Sequence, residues 1–279
     1  MSDVERSQAW CANVMREHAK SFFFSTRILP RRKREAVEAL YGLFRSADDL
    51  ADEPGFTREE RERGLEHILR ELDTVRDAAG SGGAPWYPAV RRAFERFAID
   101  VADARRLVEG CRSDLDPAPI RTLDDLYRYS AAVAGTVGRC SMPILGASDR
   151  DSLDRGERLG IAMQYTNVLR DVEEDRAMGR TYLPSEMLAH AAEREVMREI
   201  ARIAREYYRE GRVLAARVPN DGSRAALLMT SAIYGGIVDR LEARDFDTAQ
   251  GRAYVPTGEK LRRALYCVVE AYTGFATIK

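Results

Sequence analysis

The spacing of apolar residues is the feature that most restricts the fold of this chain. Along almost the whole sequence they recur every three or four positions, and the alternating pattern of a β-strand is nearly absent. This periodicity predicts an all-α bundle. The predicted helices cover about residues 34–54, 57–77, 87–113, 122–147, 151–176, 186–217 and 222–245, and a last helix follows Pro256.

No segment of the 279-residue chain has the composition of a linker between domains. Residues 79–85 are rich in glycine, but this loop is short and lies between two predicted helices. Hydrophobic residues make up 45% of the chain, which is enough for one large core. We therefore expect residues 1–279 to form one domain.

Charge and cysteine content exclude two classes of function. The chain has 44 basic and 45 acidic residues, whereas a nucleic-acid-binding protein normally shows a basic excess. Its three histidines are too few, and its four cysteines lack the CxxC spacing, for a zinc site to be expected. Buried free thiols in a reducing compartment are the expected state of Cys11, Cys111, Cys140 and Cys267.

The sequence gives no sign of export or of a membrane span. Residues 1–20 are charged throughout and lack the apolar stretch of a signal peptide. The most apolar long stretch, residues 129–147, contains Arg139 and several small polar residues, so it is too polar to cross a bilayer. We expect a cytoplasmic protein that at most contacts a membrane surface, although no amphipathic helix in the sequence indicates such contact.

Two of the predicted helices carry a stripe of polar residues. The first stripe consists of Tyr41, Arg45, Asp48 and Asp52, and the second consists of Gln164, Asn167, Asp171 and Asp175. At 100° per residue, the first stripe lies within an arc of about 60° and the second within about 80°. Each stripe therefore presents two carboxylates one turn apart, and Arg170 borders the second stripe.

Carboxylates one turn apart are common on solvated helices, and the charged segment 193–212 contains several. The two stripes differ because apolar residues flank them, such as Phe44 on the first helix and Val168 on the second. Carboxylates in apolar surroundings are costly unless a cation joins them. Carboxylate and amide oxygens without Cys or His select a hard ion, here Mg²⁺ or Mn²⁺, whose coordination a substrate diphosphate would complete.

Five segments of the chain resemble the squalene/phytoene synthase family. They are HAKSF at 18–22, DDLADE at 48–53, VAGTVG at 133–138, QYTNVLRDVEED at 164–175 and GRTYLP at 179–184. A single acidic run like the one at 48–53 also occurs in prenyl elongases and terpene cyclases, whereas the long segment at 164–175 is far more specific. The segments appear in family order and span most of the chain.

The resemblance implies the all-α isoprenoid synthase bundle, in which the two stripes face each other across a central cavity and bind a magnesium cluster. The metal ligands it implies are Asp48, Asp52, Asn167, Asp171 and Asp175. The residues it implies in contact with diphosphate or its metals are His18, Lys20, Ser21, Tyr41, Arg45, Gln164 and Arg170. It places Tyr129 near the reacting carbons, and its catalytic set is Asp48, Asp52, Asp171, Asp175, Arg45 and Tyr129.

The implied reaction is a head-to-head condensation of two prenyl diphosphates through a cyclopropyl diphosphate. The small residue Thr26, one turn after Phe22, and the run RAYV at 252–255 favour two geranylgeranyl diphosphates as substrates and phytoene as product. A C30 synthase that uses two farnesyl diphosphates is the alternative, and a terpene cyclase or a non-catalytic family member is a remoter one. Because no GxGxxG follows a strand, NADPH is not expected as a cofactor.

Two expectations concern aromatic residues. Phe22, Phe23 and Phe24 are candidates to line the cavity, although an ordinary core position explains each of them equally well. Phe246 stands where some relatives carry a tyrosine that contacts diphosphate, and a phenyl ring cannot donate that hydrogen bond. Arg252 and Lys260 are the candidates to replace the missing contact.

Overall fold

The computed structural model describes residues 1–52, 55–77 and 80–274, except for the side chains of Lys20, Ser21 and Asp52. These residues contain α-helices, one π-helical turn and one 3₁₀ turn, and no strand occurs among them. The all-α prediction is therefore confirmed. The α-helices are α1 Asp3–His18, α2 Lys20–Thr26, α3 Arg31–Asp52, α4 Arg58–Thr74, α5 Tyr87–Phe97, α6 Val101–Ser113, α7 Leu123–Ser130, α8 Thr136–Leu145, α9 Arg150–Arg170, α10 Val172–Ala177, α11 Ser185–Leu188, α12 Glu193–Ala215, α13 Ser223–Ala243 and α14 Thr257–Thr273.

Three of the predicted helices are each divided in two. The helix predicted at 87–113 breaks where Ala98 takes a left-handed φ of 50°, and the side chain of Asp100 then caps α6 by accepting a hydrogen bond from Ala102 N. The helix predicted at 186–217 starts as the single turn of α11 before α12 begins. The helix predicted at 151–176 ends at Arg170, and Asp171 links it to α10.

The helix predicted at 122–147 is continuous but contains the π-helical turn Ala131–Gly135 between α7 and α8. Thr57 and Glu60 form a capping box at the start of α4. Residues 53–54, at the predicted end of the helix at 34–54, lie outside the described residues, as do 78–79 and 275–279.

The helix α9 is packed on several sides, against α7, the π-helical turn, α8, α12 and α13. Its contact with α8 and the π turn is made by glycines that bring the backbones together. A Cβ atom added at Gly138 would lie 1.9 Å from the carbonyl oxygen of Gly156, and one added at Gly160 would lie 2.2 Å from that of Ala134. Only glycine fits at such a crossing.

Substitution of Gly138 by alanine is expected to destabilise the fold, because the opposing group is backbone and cannot move aside. Overpacking of this kind costs about 1–3 kcal/mol or more. The matched control is Gly235→Ala in α13, where no described atom lies within 4 Å of an added Cβ. In a helix interior that change stabilises by about 0.5–1 kcal/mol. Urea denaturation of both variants checks the prediction, and equal unfolding free energies would contradict it.

Buried apolar residues form one continuous cluster that extends from Cys11 to Ala271. This continuity supports the single domain expected for residues 1–279, which stays a prediction. All four cysteines are buried and free, as predicted. A Cβ atom added at Gly236 would lie 2.8 Å from Arg263 Cζ and 3.0 Å from Val255 Cγ2, whereas no described atom lies within 4 Å of one added at Gly235. No helix in the described part of the chain combines the length and apolar character needed to cross a membrane.

Candidate functional site

A cavity of about 840 Å³ lies within the bundle. Both polar stripes predicted from the sequence border it, together with residues from α1, α2, α8 and α13 and from the π turn. The predicted site residues that line it, among those whose side chains are described, are His18, Tyr41, Arg45, Asp48, Tyr129, Gln164, Asn167, Arg170, Asp171 and Asp175. Lys20, Ser21 and Asp52 lie outside the described side chains.

On three helices, the residues that line the cavity change from apolar to polar in the N- to C-terminal direction. It changes from Val37 and Leu40 to Arg45 and Asp48 on α3, from Leu159 and Met163 to Asn167 and Arg170 on α9, and from Ala226 and Leu227 to Thr230 and Tyr234 on α13. Tyr234 lies close enough to Tyr41 on α3, and to Arg170 and Asp171, to interact with them electrostatically. The polar segments of the three helices therefore meet in one region, and apolar walls extend away from it.

The stripe on α3 is organised around Arg45. Its guanidinium pairs with Asp48 Oδ2 at 2.9 Å and with Asp49 Oδ1 at 2.5 Å. Asp49 does not belong to the predicted stripe, and its role as a partner of Arg45 was not expected from the sequence. One turn earlier, burial raises the pKa of Tyr41 to about 12, so its hydroxyl is protonated and able to donate a hydrogen bond.

The stripe on α9 continues past the end of that helix. Asp171 is the C-cap of α9, with φ of −105°, and its carbonyl accepts from Asp175 N at 2.8 Å, so the helical course is nearly kept. The prediction of a single helix was wrong at this point. Both carboxylates nevertheless line the cavity, because a short kink of this kind shifts the stripe without reversing its direction.

Asp171 is paired with two arginines. Arg170 Nε donates to Oδ1 at 2.7 Å, and Arg252 Nε lies 2.9 Å from the same oxygen. Asp175, by contrast, has its pKa raised to about 6, first by burial and then by repulsion from Asp171. The pair of acids is thus only partly neutralised by protein groups, and a cation nearby would stabilise the charged form of Asp175.

Asn167 supplies a further sign that this region fits a cation. Its buried side-chain oxygen Oδ1 has no hydrogen-bond partner among the described residues, and its nitrogen contacts Gln164 Oε1 at 3.4 Å. An amide oxygen with free lone pairs beside two carboxylates is a suitable ligand for a hard divalent ion. The C-terminal ends of α3 and α9 also carry partial negative charge into this region, which favours cations and disfavours a bare anion. Among the described residues, no three acidic, histidine or cysteine side chains form a ready-made metal centre.

Tyr129 lines the cavity at the end of α7, immediately before the π-helical turn. Its ring stacks on that of Tyr182, with 5.0 Å between the ring centroids. Val133 and Ala134 of the π turn line the cavity as well. Single π turns inside helices are frequent at functional sites, because the extra residue displaces side chains from the regular helical register.

The structure gives a position for each of the phenylalanines in question. Phe22 lines the cavity, but Phe23 and Phe24 do not belong to its lining, and Phe23 instead stacks under the guanidinium of Arg27. Phe246 is buried in the core, with a φ of 53°, and is not part of the cavity wall. Arg252 is the cavity residue of that segment, whereas Lys260 is not among the lining residues.

Sequence reasoning missed several polar residues of the cavity, among them Arg180, Tyr182 and Tyr234. Arg180 and Tyr182 stand inside the quoted segment GRTYLP, so the resemblance held a signal that they are near the site. Tyr234 lies in the apolar helical pattern of α13, and nothing in the sequence distinguished it from a core residue. Burial raises the pKa of Tyr234, which keeps its hydroxyl protonated.

Comparison with known proteins gives relatives that match most of this chain. A phytoene synthase of Zea mays (phytoene synthase 3, chloroplastic) is 35% identical over 280 residues, which cover 90% of this chain and 63% of the relative. The chain therefore spans less than two thirds of that plant protein. The phytoene synthase of Arthrospira platensis is 32% identical over 281 residues, covering 90% of this chain and 89% of the relative.

Solved structures show the same fold. A dehydrosqualene synthase in complex with ligand superposes with a TM-score of 0.84 at 27% identity, over 97% of this chain and 98% of that one. A squalene synthase from Alicyclobacillus acidocaldarius superposes with a TM-score of 0.77 at 23% identity, over 87% of this chain and 95% of that one. The profile of the squalene/phytoene synthase family matches residues 15–259. This chain, with its isoprenoid synthase fold, belongs to the squalene/phytoene synthase family.

Proposed function

We propose that this protein is a prenyltransferase that joins two prenyl diphosphates head to head, with geranylgeranyl diphosphate as substrate and phytoene as product. The observation that carries the proposal is the form of the cavity. One region of it collects carboxylates, an amide oxygen and arginines from α3 and α9, and its remaining walls are apolar. A charged diphosphate head with a long hydrocarbon tail matches both parts.

The charged region fits a divalent cation, and we assign Mg²⁺ to it, with Mn²⁺ as a substitute. The residues that would hold it are Asp48, Asp52, Asn167, Asp171 and Asp175. When bound, the ion would neutralise charge on the diphosphate and so favour its departure. The assignment rests on three observations. The donors are hard oxygen atoms, and Asn167 Oδ1 has no hydrogen-bond partner among the described residues. The pKa of Asp175 is raised, and a nearby cation would lower it.

Arginines and hydroxyls of the same region would bind the diphosphate oxygens. Arg45 and Arg170 border the cavity from opposite stripes, and Arg252 reaches Asp171 from the segment after α13. Arg45 is paired with Asp48, and Arg170 and Arg252 with Asp171, so binding of a diphosphate would exchange these partners. The protonated hydroxyls of Tyr41 and Tyr234 and the amide of Gln164 complete the donors, and His18, Lys20 and Ser21 extend the set on the α1–α2 side.

In the first half-reaction the bond from C1 to oxygen of one substrate breaks, and the double bond of the second substrate attacks the resulting allylic cation. Loss of a proton closes a cyclopropane, and in the second half-reaction this cyclopropyl diphosphate loses its own diphosphate, rearranges and loses another proton. The apolar walls would hold both chains and exclude water from the cations. Tyr129 and Tyr182 both line the cavity, and an aromatic ring close to a carbocation would stabilise its positive charge.

The preference for a C40 product is supported by two observations. The curated relatives that cover 90% of the chain are named phytoene synthases. Thr26 lies on the cavity wall and is buried, with its hydroxyl donating to Phe23 O, so its small side chain leaves space for a long substrate. The solved dehydrosqualene synthase, at 27% identity, keeps a C30 synthase as the second candidate.

Replacement of Thr26 by phenylalanine is expected to shift the substrate preference toward farnesyl diphosphate by about tenfold or more, because the ring would occupy space used by the end of the longer chain. The measurement is the ratio of kcat/KM for the two diphosphates. Thr26→Ser, which keeps the hydroxyl and adds no volume, is the matched control. An unchanged ratio in a folded Thr26→Phe protein would refute the role of this position in chain length.

The proposed function is tested by incubating the purified protein with Mg²⁺ and either geranylgeranyl or farnesyl diphosphate, with and without a nicotinamide donor. Organic extraction and mass analysis identify the product. We expect a C40 hydrocarbon without the donor. A C30 product, or arrest at the cyclopropyl diphosphate, would keep the family chemistry and replace the substrate assignment, whereas a cyclic product from one substrate would replace the reaction. No turnover of either substrate would favour a non-catalytic member.

A further inference from the structure

The outer face of α14 holds five of the eleven large hydrophobic side chains that are exposed among the described residues. Three of its side chains are more than half exposed, namely Leu265 at 65%, Tyr272 at 58% and Leu261 at 54%. Val269 and Tyr266 are exposed as well. The exposed residues of this helix are Thr257, Gly258, Leu261, Arg262, Leu265, Tyr266, Val269, Tyr272 and Thr273.

The two glutamates of α14 do not belong to that face. Both of its glutamates are largely buried in ion pairs, Glu259 with Arg240 and Arg263, and Glu270 with Arg212. Among the exposed residues of α14 only Arg262 is charged. The exposed face therefore has no acidic residue, although acidic residues number 45 in the chain.

The long helix α12 provides the comparison within the same molecule. Its exposed residues are Arg194, Glu195, Arg198, Arg202, Arg209 and Val213, which are charged with one exception. A charged surface of this kind is typical of the side of a helix that faces water. An exposed apolar stripe with tyrosines beside it, as on α14, is typical of a surface that contacts a partner protein or a membrane.

We propose that the outer face of α14, formed by Leu261, Leu265, Val269 and Tyr272 with Tyr266 and Arg262 at its edge, binds the surface of a lipid bilayer. Helices of this type lie in the plane of the interface, with the apolar side chains among the acyl chains and the tyrosines at the level of the headgroups. The single charge on the face is positive, which matches anionic lipids.

The size of the face favours a bilayer over a second copy of the chain. A helix of 17 residues is about 25 Å long and about 10 Å wide, which gives a footprint of roughly 250 Å². A stable dimer buries about 800 Å² on each partner. A bilayer requires no such area, because each inserted side chain contributes independently to binding. The inference uses only this surface and does not depend on the proposed reaction.

The test is flotation of the full-length protein with vesicles of phosphatidylcholine alone or mixed with phosphatidylglycerol. We expect the wild type to float with vesicles, more strongly with the anionic lipid, and the triple variant Leu261→Gln, Leu265→Gln, Val269→Gln to partition at least about tenfold less. Because the three residues are exposed, the variant should keep its circular dichroism spectrum and its turnover in vesicle-free buffer, which separates this inference from the proposed function.

A second probe locates the contact. In Leu265→Trp the emission should shift to shorter wavelength when vesicles are added, whereas Arg202→Trp on the exposed face of α12 is the matched control and should not shift. Equal flotation of wild type and triple variant, absence of flotation of the wild type, or the same shift in both tryptophan variants would overturn the proposal. So would a dimer in light scattering that the triple variant abolishes, because the face would then belong to a second copy.

Discussion

Replacement of Asp48 or Asp171 by alanine is expected to lower turnover by about a thousandfold or more, while the helical fold is retained. Asp48 lies on α3 and Asp171 at the end of α9, and both border the same cavity. Each substitution therefore removes a carboxylate from a different side of the site. Electrostatic stabilisation of a departing charged group is commonly the largest single contribution to catalysis, which explains the size of the expected loss. Turnover of geranylgeranyl diphosphate in the presence of Mg²⁺ is the measurement.

Two further variants make this prediction specific. Asp171→Asn keeps a hydrogen-bond acceptor for Arg170 and Arg252 and removes the charge, so it should be as inactive as Asp171→Ala and at least as stable. Asp124→Ala, at an exposed acid of α7 paired with Arg128, should leave turnover unchanged. Substantial activity in a folded Asp48→Ala, Asp171→Asn double variant would refute the assignment of these carboxylates to the metal.

Removal of divalent cations with a chelator is expected to abolish turnover completely, and addition of Mg²⁺ should restore it. The same treatment should leave the fold intact, because Asp171 and Asp48 are each paired with an arginine. Mg²⁺ together with inorganic pyrophosphate should stabilise the protein, by about 2.7 kcal/mol at a concentration one hundredfold above Kd. Thermal unfolding with each ligand alone and with both measures this effect.

The dependence of that stabilisation on each ligand tests the metal assignment. Since the anion would enter a region of carboxylates and helix C-termini, pyrophosphate without a divalent cation should stabilise far less than the two together. The Asp171→Asn variant should lose the joint effect. Full turnover after chelation, or equal stabilisation by pyrophosphate with and without Mg²⁺, would contradict the metal assignment.

The sequence predicted the parts of this molecule that follow from local periodicity. Apolar spacing located the helices from α3 onward, whereas α1 and α2 were not predicted. Tyr41, Arg45 and Asp48 of the first predicted stripe line the cavity. Residues of the second stripe line it as well, although α9 ends at Arg170, because the turn at Asp171 nearly preserves the helical direction. The break at Ala98 was missed, since an alanine in a left-handed conformation has no signal in the sequence.

What the sequence did not predict depends on tertiary contacts. Phe22, Phe23 and Phe24 are chemically identical, and only the packing of α2 determines that the first faces the cavity. Tyr234 reads as a core residue until α13 is placed beside α3 and α9. The outer face of α14 likewise reads as a core-facing stripe, because periodicity shows that a helix has an apolar side and not whether another helix covers it.

The ratio of inorganic diphosphate released to hydrocarbon formed tests the central claim most directly. A head-to-head condensation that completes both half-reactions releases two diphosphates for each hydrocarbon molecule, and we expect this ratio from geranylgeranyl diphosphate and Mg²⁺ without a reductant. One diphosphate for each hydrocarbon molecule would show that a single substrate had reacted, and would contradict the proposed joining of two prenyl chains.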